Sequence, residues 1–130
     1  MNDEPSAEAL LRAVERFLER DVVPRLEGVF RFHARVAANA VAMVARELET
    51  EDAAASGEWR RLAGLLGDAG PLPTDRAGRR AALRARDSEL VARIRAGDAD
   101  AGPFRARVLA HLRATVADKL AVSRPPRQRG

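Results

Sequence analysis

The chain predicts an all-α fold, a single helical bundle of four to five helices. Three observations carry that expectation. Apolar residues recur at three- and four-residue spacing along the long segments. No stretch of useful length alternates polar and apolar residues, tyrosine is absent and threonine is scarce, so strands are not expected. Alanine, the best helix former, supplies much of the 46% hydrophobic content. A chain of 130 residues suits one domain with a modest core. Aromatic content of 4% means that leucine, valine and a few phenylalanines must build that core.

The elements follow in order. A first helix over residues 6–20 has Asn2, Asp3 and Ser6 as cap candidates and Pro5 near its start. Its stripe is Leu10, Leu11, Val14, Phe17 and Leu18, and Glu8 precedes Arg12 by four, the favourable order for a surface pair. Pro24 interrupts, with Val22, Val23 and Leu26 packing around the corner, and Gly28 marks the approach to a second helix. That helix runs over residues 29–48 and extends toward Ala55, where Gly57 supplies a break. A short third helix over 58–66 offers Trp59, Leu62, Leu65 and Leu66. The run Gly67-Asp68-Ala69-Gly70-Pro71-Leu72-Pro73 is a loop by local chemistry. Thr74 or Asp75 caps a fourth helix over 76–96, with Leu83, Leu90, Val91 and Ile94 on its apolar edge and Gly97 at its end. Pro103 opens a fifth, which is expected to bury Leu109, Leu112, Val116 and Leu120. The expected organisation is a helical bundle over residues 1–122 and a basic, disordered tail over 123–130.

Composition bounds the function. Charged residues make up 32% of the chain and the formal net charge is +4. Three arginines, Arg124, Arg127 and Arg129, sit in the tail, so the folded part keeps about +1, short of the field of a typical nucleic-acid binder. Without cysteine there is neither a disulfide nor a thiolate metal site. The amino end is acidic with no apolar run behind it, and the longest nearly apolar run, residues 36–45, is too short to span a bilayer. A cytoplasmic protein with no membrane contact is expected.

The second helix is the most informative segment. Val29, Phe32, Val36, Ala40 and Met43 make one stripe. Asn39 sits at its margin, His33 on its other side, and Glu47 near its centre. Arg35, Asn39, Ala42 and Arg46 line one flank at steps of four, three and four. Polar groups beside a buried stripe need partners. Arg35, Asn39 and Arg46 form a donor-rich strip suited to a carboxylate, a phosphate or an acidic helix. The plain alternative pairs them inside the bundle with Glu15, Glu19 or Glu89. Glu47 reads most simply as salt-bridged or solvent-exposed.

Other candidates are thinner. His33 and His111 are the only histidines; His33 reads as a satisfied border residue, and His111 points away from Leu109, Leu112 and Val116, so it is expected at the surface. No carboxylate stands at a ligand-like spacing on either helix, so no metal site is expected. No serine has an adjacent base, and Gly64, Gly67 and Gly70 lack a following Lys-Ser or Lys-Thr, so neither a catalytic group nor a cofactor is expected. Arg79, Arg86 and Arg93 recur one heptad apart, but Asp87 and Glu89 interrupt them, no aromatics alternate with them, and Glu89 stands four before Arg93. A solvated face is expected there.

Three stretches resemble a small uncharacterised bacterial helical domain family: Phe32-His33-Ala34-Arg35-Val36-Ala37-Ala38-Asn39-Ala40 with Arg46-Glu47-Leu48; Arg93-Ile94-Arg95-Ala96-Gly97; and Ala110-His111-Leu112-Arg113-Ala114-Thr115-Val116 with Lys119-Leu120-Ala121. The similarity runs from about Ala9 to Val122. Members of that family lie beside, or fused behind, aminoglycoside-phosphotransferase-like kinases, often near acyl-CoA dehydrogenase genes. The resemblance implies an accessory role in small-molecule or acyl-CoA metabolism. The chain departs from the family at Arg86-Asp87, where a Leu-Asn pair is usual, and at Ser123-Arg124-Pro125-Pro126, where an Asn-Pro-Arg-Tyr run is usual. The expectation is therefore a non-catalytic domain that binds a partner protein, a phosphotransferase-like enzyme, through His33, Arg35, Asn39, Arg46 and Glu47. The alternative is a binder of a small anion, a phosphate or an acyl-CoA headgroup, at the same residues. Nucleic-acid binding is a weaker alternative, and a homodimer stays open.

Overall fold

In the computed structural model, residues 4–123 are described. Residues 124–130, nearly all of the expected tail, lie outside them. Four helices form: α1 Ala7–Phe17, α2 Gly28–Leu66, α3 Arg76–Arg95 and α4 Gly102–Ser123. Among the described residues there is no strand, so the fold is all-α.

The local signals explain most boundaries. The Ser6 hydroxyl accepts the Ala9 N–H at 3.1 Å and starts α1. The chain leaves α1 through a π turn over Leu18–Val22 and a 3-10 turn over Val23–Arg25 that carries Pro24. An Asp75 carboxylate oxygen accepts the Gly78 N–H at 2.7 Å and caps α3. A Cβ on Gly78 would stand 2.6 Å from that carboxylate, so the cap and the glycine require one another. Gly97, at φ +93°, ends the helix as expected.

Gly57 does not break the chain. α2 runs through it, merging the two helices expected on either side. A helical glycine costs about 1 kcal/mol relative to alanine, and the alanines, Glu58, Arg60 and Arg61 around it favour helix strongly enough to offset that.

The described residues divide into two compact units, 4–51 with 122–123, and 52–121. In the first, Arg12 joins α1 to α2: its guanidinium donates to both carboxylate oxygens of Glu49 at 2.9 and 3.0 Å and to Glu15 at 2.7 Å. These bonds raise Arg12 above the ordinary arginine value and lower Glu49. The expected Glu8–Arg12 pair gives way to this bidentate arrangement, which suits the planar guanidinium better. The buried residues here are small: Val23, Ala38, Ala42 and Ala45. In the second unit the core is Leu62, Leu65, Leu90 and Val108, with Leu66, Leu83, Ala99 and Phe104 against it.

The expected apolar stripes turn outward. On the first-unit stretch of α2 the buried face is the alanine one, and Val29, Phe32, Val36 and Met43 lie on the opposite side, Phe32 at 63% exposure. On α1, Leu10, Val14 and Phe17 are exposed. On α4, Leu109, Leu112, Val116 and Leu120 are exposed, whereas Val108 and His111 are buried. These helices are apolar on more than one side. Spacing identifies such faces but does not say which of them the same chain covers.

Candidate functional site

The first unit holds the polar strip of α2. Arg35 and Asn39, both exposed, line a shallow cavity of about 290 Å³ with Glu19, Val23 and Ala38. Arg46 is drawn away from the strip: its Nε donates to the Val122 carbonyl at 2.7 Å, and its own carbonyl accepts from the Thr50 hydroxyl at 2.8 Å. Of the partners named by the plain alternative, Glu15 is engaged by Arg12 and Glu89 by Arg86, while Glu19 lines the same cavity as Arg35 without forming an ion pair with it. His33 is exposed rather than a satisfied border residue, its ring edge-on to Phe32 at 5.8 Å. Glu47 is exposed on the outer face. The structure thus brings Arg35 and Asn39 together and leaves His33 and Glu47 available on the apolar face.

The second unit holds a cluster that the sequence does not reveal. Glu58 of α2, Asp87 of α3 and His111 of α4 place one ligand-type atom each within 4.8 Å of one another. His111 is 3% exposed, a correction to its expected surface position; α4 turns Phe104, Val108, His111 and Thr115 inward instead of its leucine face. Arg61 Nε donates to His111 Nδ1 at 3.3 Å, and Arg61 also reaches the Thr115 hydroxyl at 3.4 Å and Asp118 at 3.6 Å. The Thr115 hydroxyl donates to the His111 carbonyl at 3.1 Å. Burial, then the Arg61 charge, pushes His111 below its ordinary value. Burial raises Glu58, with Asp87 adding to it, and burial also raises Asp87. A cleft of about 470 Å³ runs beside the cluster, walled by Leu83, Leu90, Val91, Ile94 and Leu112 and rimmed by Arg80, Arg84 and Lys119.

Two carboxylates and an imidazole form a donor set that suits a first-row divalent ion. The second contact of the ring decides against that use. Nδ1 accepts from Arg61, so the neutral ring carries its proton on Nε2. The ring then has no lone pair to offer, and a guanidinium beside it repels a cation. The arrangement holds a neutral imidazole among carboxyl groups that favour protonation. Glu58, Asp87 and His111 come from three helices far apart in sequence, so no spacing could have linked them.

The heptad arginines of α3 are absorbed by the unit itself. Arg79 pairs with Asp52 at 2.7 Å. Arg86 pairs with Glu89 at 3.0 Å, donates to the Gly67 carbonyl and lies 6.0 Å from the centre of the Trp59 ring. Arg93 donates to the Leu65 carbonyl at 3.1 Å, pairs with Asp98 at 3.0 Å and stacks 4.1 Å from the Phe104 ring centre. The expected Glu89–Arg93 pair is replaced by these contacts, and the row ties α3 to α2 and to the turns that follow α2 and α3, rather than forming a freely solvated face.

No helix among the described residues is long and apolar enough to cross a membrane. No curated protein and no solved structure matches the chain. The family described as a domain of unknown function, DUF6285, matches residues 24–126, from the Pro24 corner through α4 and past its end, and the chain belongs to that family.

Proposed function

We propose that this chain is a non-catalytic protein-interaction module, an accessory to a phosphotransferase-like enzyme of small-molecule or acyl-CoA metabolism. One observation carries the docking reading: on α1 and on α2, large apolar side chains form continuous stripes that face outward. Patches of that kind mark interaction surfaces. The enzyme as partner comes from the family resemblance. Its contact is assigned to the outward edge of α1, Leu10, Val14 and Phe17, together with Arg35 and Asn39 of α2. A small anion fits this place less well, because Glu19 shares the cavity with Arg35 and Asn39.

The test is co-expression of the tagged chain with a phosphotransferase-like protein from the same host. Arg35→Glu and Val14→Glu are each expected to abolish capture while far-ultraviolet circular dichroism stays unchanged, since both side chains are exposed. Undiminished recovery of the enzyme by both variants refutes the surface assignment.

A further inference from the structure

We propose that the outer face of α2 is occupied by a second copy of this chain, packed antiparallel about a two-fold axis at Ala40. The inference rests on the docking reading above and names the occupant of a different face. That face carries Val29, Phe30, Phe32, Val36, Met43 and Val44, each more than a third exposed. Aromatic side chains offer roughly 150–250 Å² each and the aliphatic ones somewhat less, so at 38–69% exposure these six present roughly 600 Å² of apolar surface. A standard interface covers about 800 Å² on each partner; Ala37, Ala40, His33 and Glu47, all exposed, lie within the same footprint and make up the difference.

The polar residues on this face select a copy of the chain as the partner. His33 and Glu47 stand seven residues to either side of Ala40, two helical turns each way, and so share its face. Both are exposed, and among the described residues neither forms a hydrogen bond or an ion pair. Antiparallel pairing about Ala40 sets His33 of each copy against Glu47 of the other, giving two imidazole–carboxylate contacts by symmetry. An isologous interface requires such a surface, complementary to itself under rotation. At the axis Ala40 has only a methyl group, which lets the two helices approach closely. Arg35 and Asn39 lie toward the opposite edge, outside the pairing line.

The full chain is examined by sedimentation equilibrium and is expected to be a dimer. His33→Glu puts two carboxylates together at each end and is expected to raise the dissociation constant at least about tenfold. Adding Glu47→Arg to it restores an opposite-charge pair and is expected to bring the constant back to within about threefold of the parent. The chain has no cysteine, so Ala40→Cys is expected to give a disulfide-linked dimer under mild oxidation, while Ser88→Cys on exposed α3 does not. Circular dichroism of each variant checks that its helices are intact. A monomer at every concentration, or Ala40→Cys cross-linking no faster than Ser88→Cys, overturns the pairing. So does a charge reversal that the second substitution fails to repair. Retained capture of the enzyme by a monomeric chain refutes this pairing alone; a dimer that captures no enzyme refutes the accessory role alone.

Discussion

Leu62 and Leu112 carry the same side chain in the same unit, and the periodicity of the sequence assigns both to the core. The structure separates them: Leu62 is 0% exposed and Leu112 is 43% exposed. Replacing each by alanine tests which face of α4 is inside. At Leu62 the loss combines transfer of the removed carbons with the cavity left among Leu65, Leu90 and Val108, and such sites cost about 3 kcal/mol within a range of 2–5. At Leu112 nearly half of the side chain already meets water. Just over half of an ordinary transfer loss remains, no closed cavity forms, and alanine's helix preference returns about 0.2 kcal/mol. The expected cost is about 1 kcal/mol or less. For a chain of this length 1 kcal/mol moves Tm by roughly 3–5 °C, so Leu62→Ala is expected to lower Tm by about 10 °C and Leu112→Ala by at most about 5 °C. Thermal unfolding followed at 222 nm at micromolar concentration gives both numbers. If Leu112→Ala costs as much as Leu62→Ala, the leucine face of α4 is the buried one and the assignment of Val108 and His111 to the interior is refuted.

Further outcomes follow from the same geometry. Asp75→Ala removes the α3 cap and is expected to cost about 1 kcal/mol; Gly78→Ala, whose methyl would meet the same carboxylate, is expected to destabilise as well, and urea unfolding reads both. His111 is held below its ordinary value of 6.5, so the unfolded chain takes up that proton first, and the fold loses stability as pH falls from about 7 toward the folded value. His111→Gln is expected to flatten that decline in urea midpoints between pH 7 and 5, and an unchanged slope counts against a buried neutral ring. Glu58 is raised, so its penalty is absent below the ordinary carboxylate range of 4.5 and grows as pH rises toward the folded value. Glu58→Gln is expected to raise the urea midpoint at pH 8 and to leave it nearly unchanged at pH 4.

The elements whose cause is local were legible. Ser6 and Asp75 cap where short polar side chains before an apolar run should cap, and Gly97 ends α3 because a left-handed residue is needed there. Gly57 misled, since a glycine is a break only when its neighbours do not hold the helix. The strip of α2 was legible as a pattern, yet the fate of each member was not. Arg46 turns to the Val122 carbonyl, a group 76 residues away, while Arg35 does not pair with any of the carboxylates expected of it. The buried cluster of Glu58, Asp87 and His111 left no mark in the sequence, because three helices contribute one residue each.

Composition and periodicity by themselves determined that this chain is helical, where most of its helices begin and end, and which side chains share a face. Those properties depend on backbone propensity and on contacts within four residues. Tertiary structure alone decided which apolar face points inward. A helix with two greasy sides gains comparable energy by burying either, and the choice falls to the neighbours it meets. Here the first stretch of α2 buries its alanine side and α4 its His111 side, and the larger side chains on their other faces stay exposed.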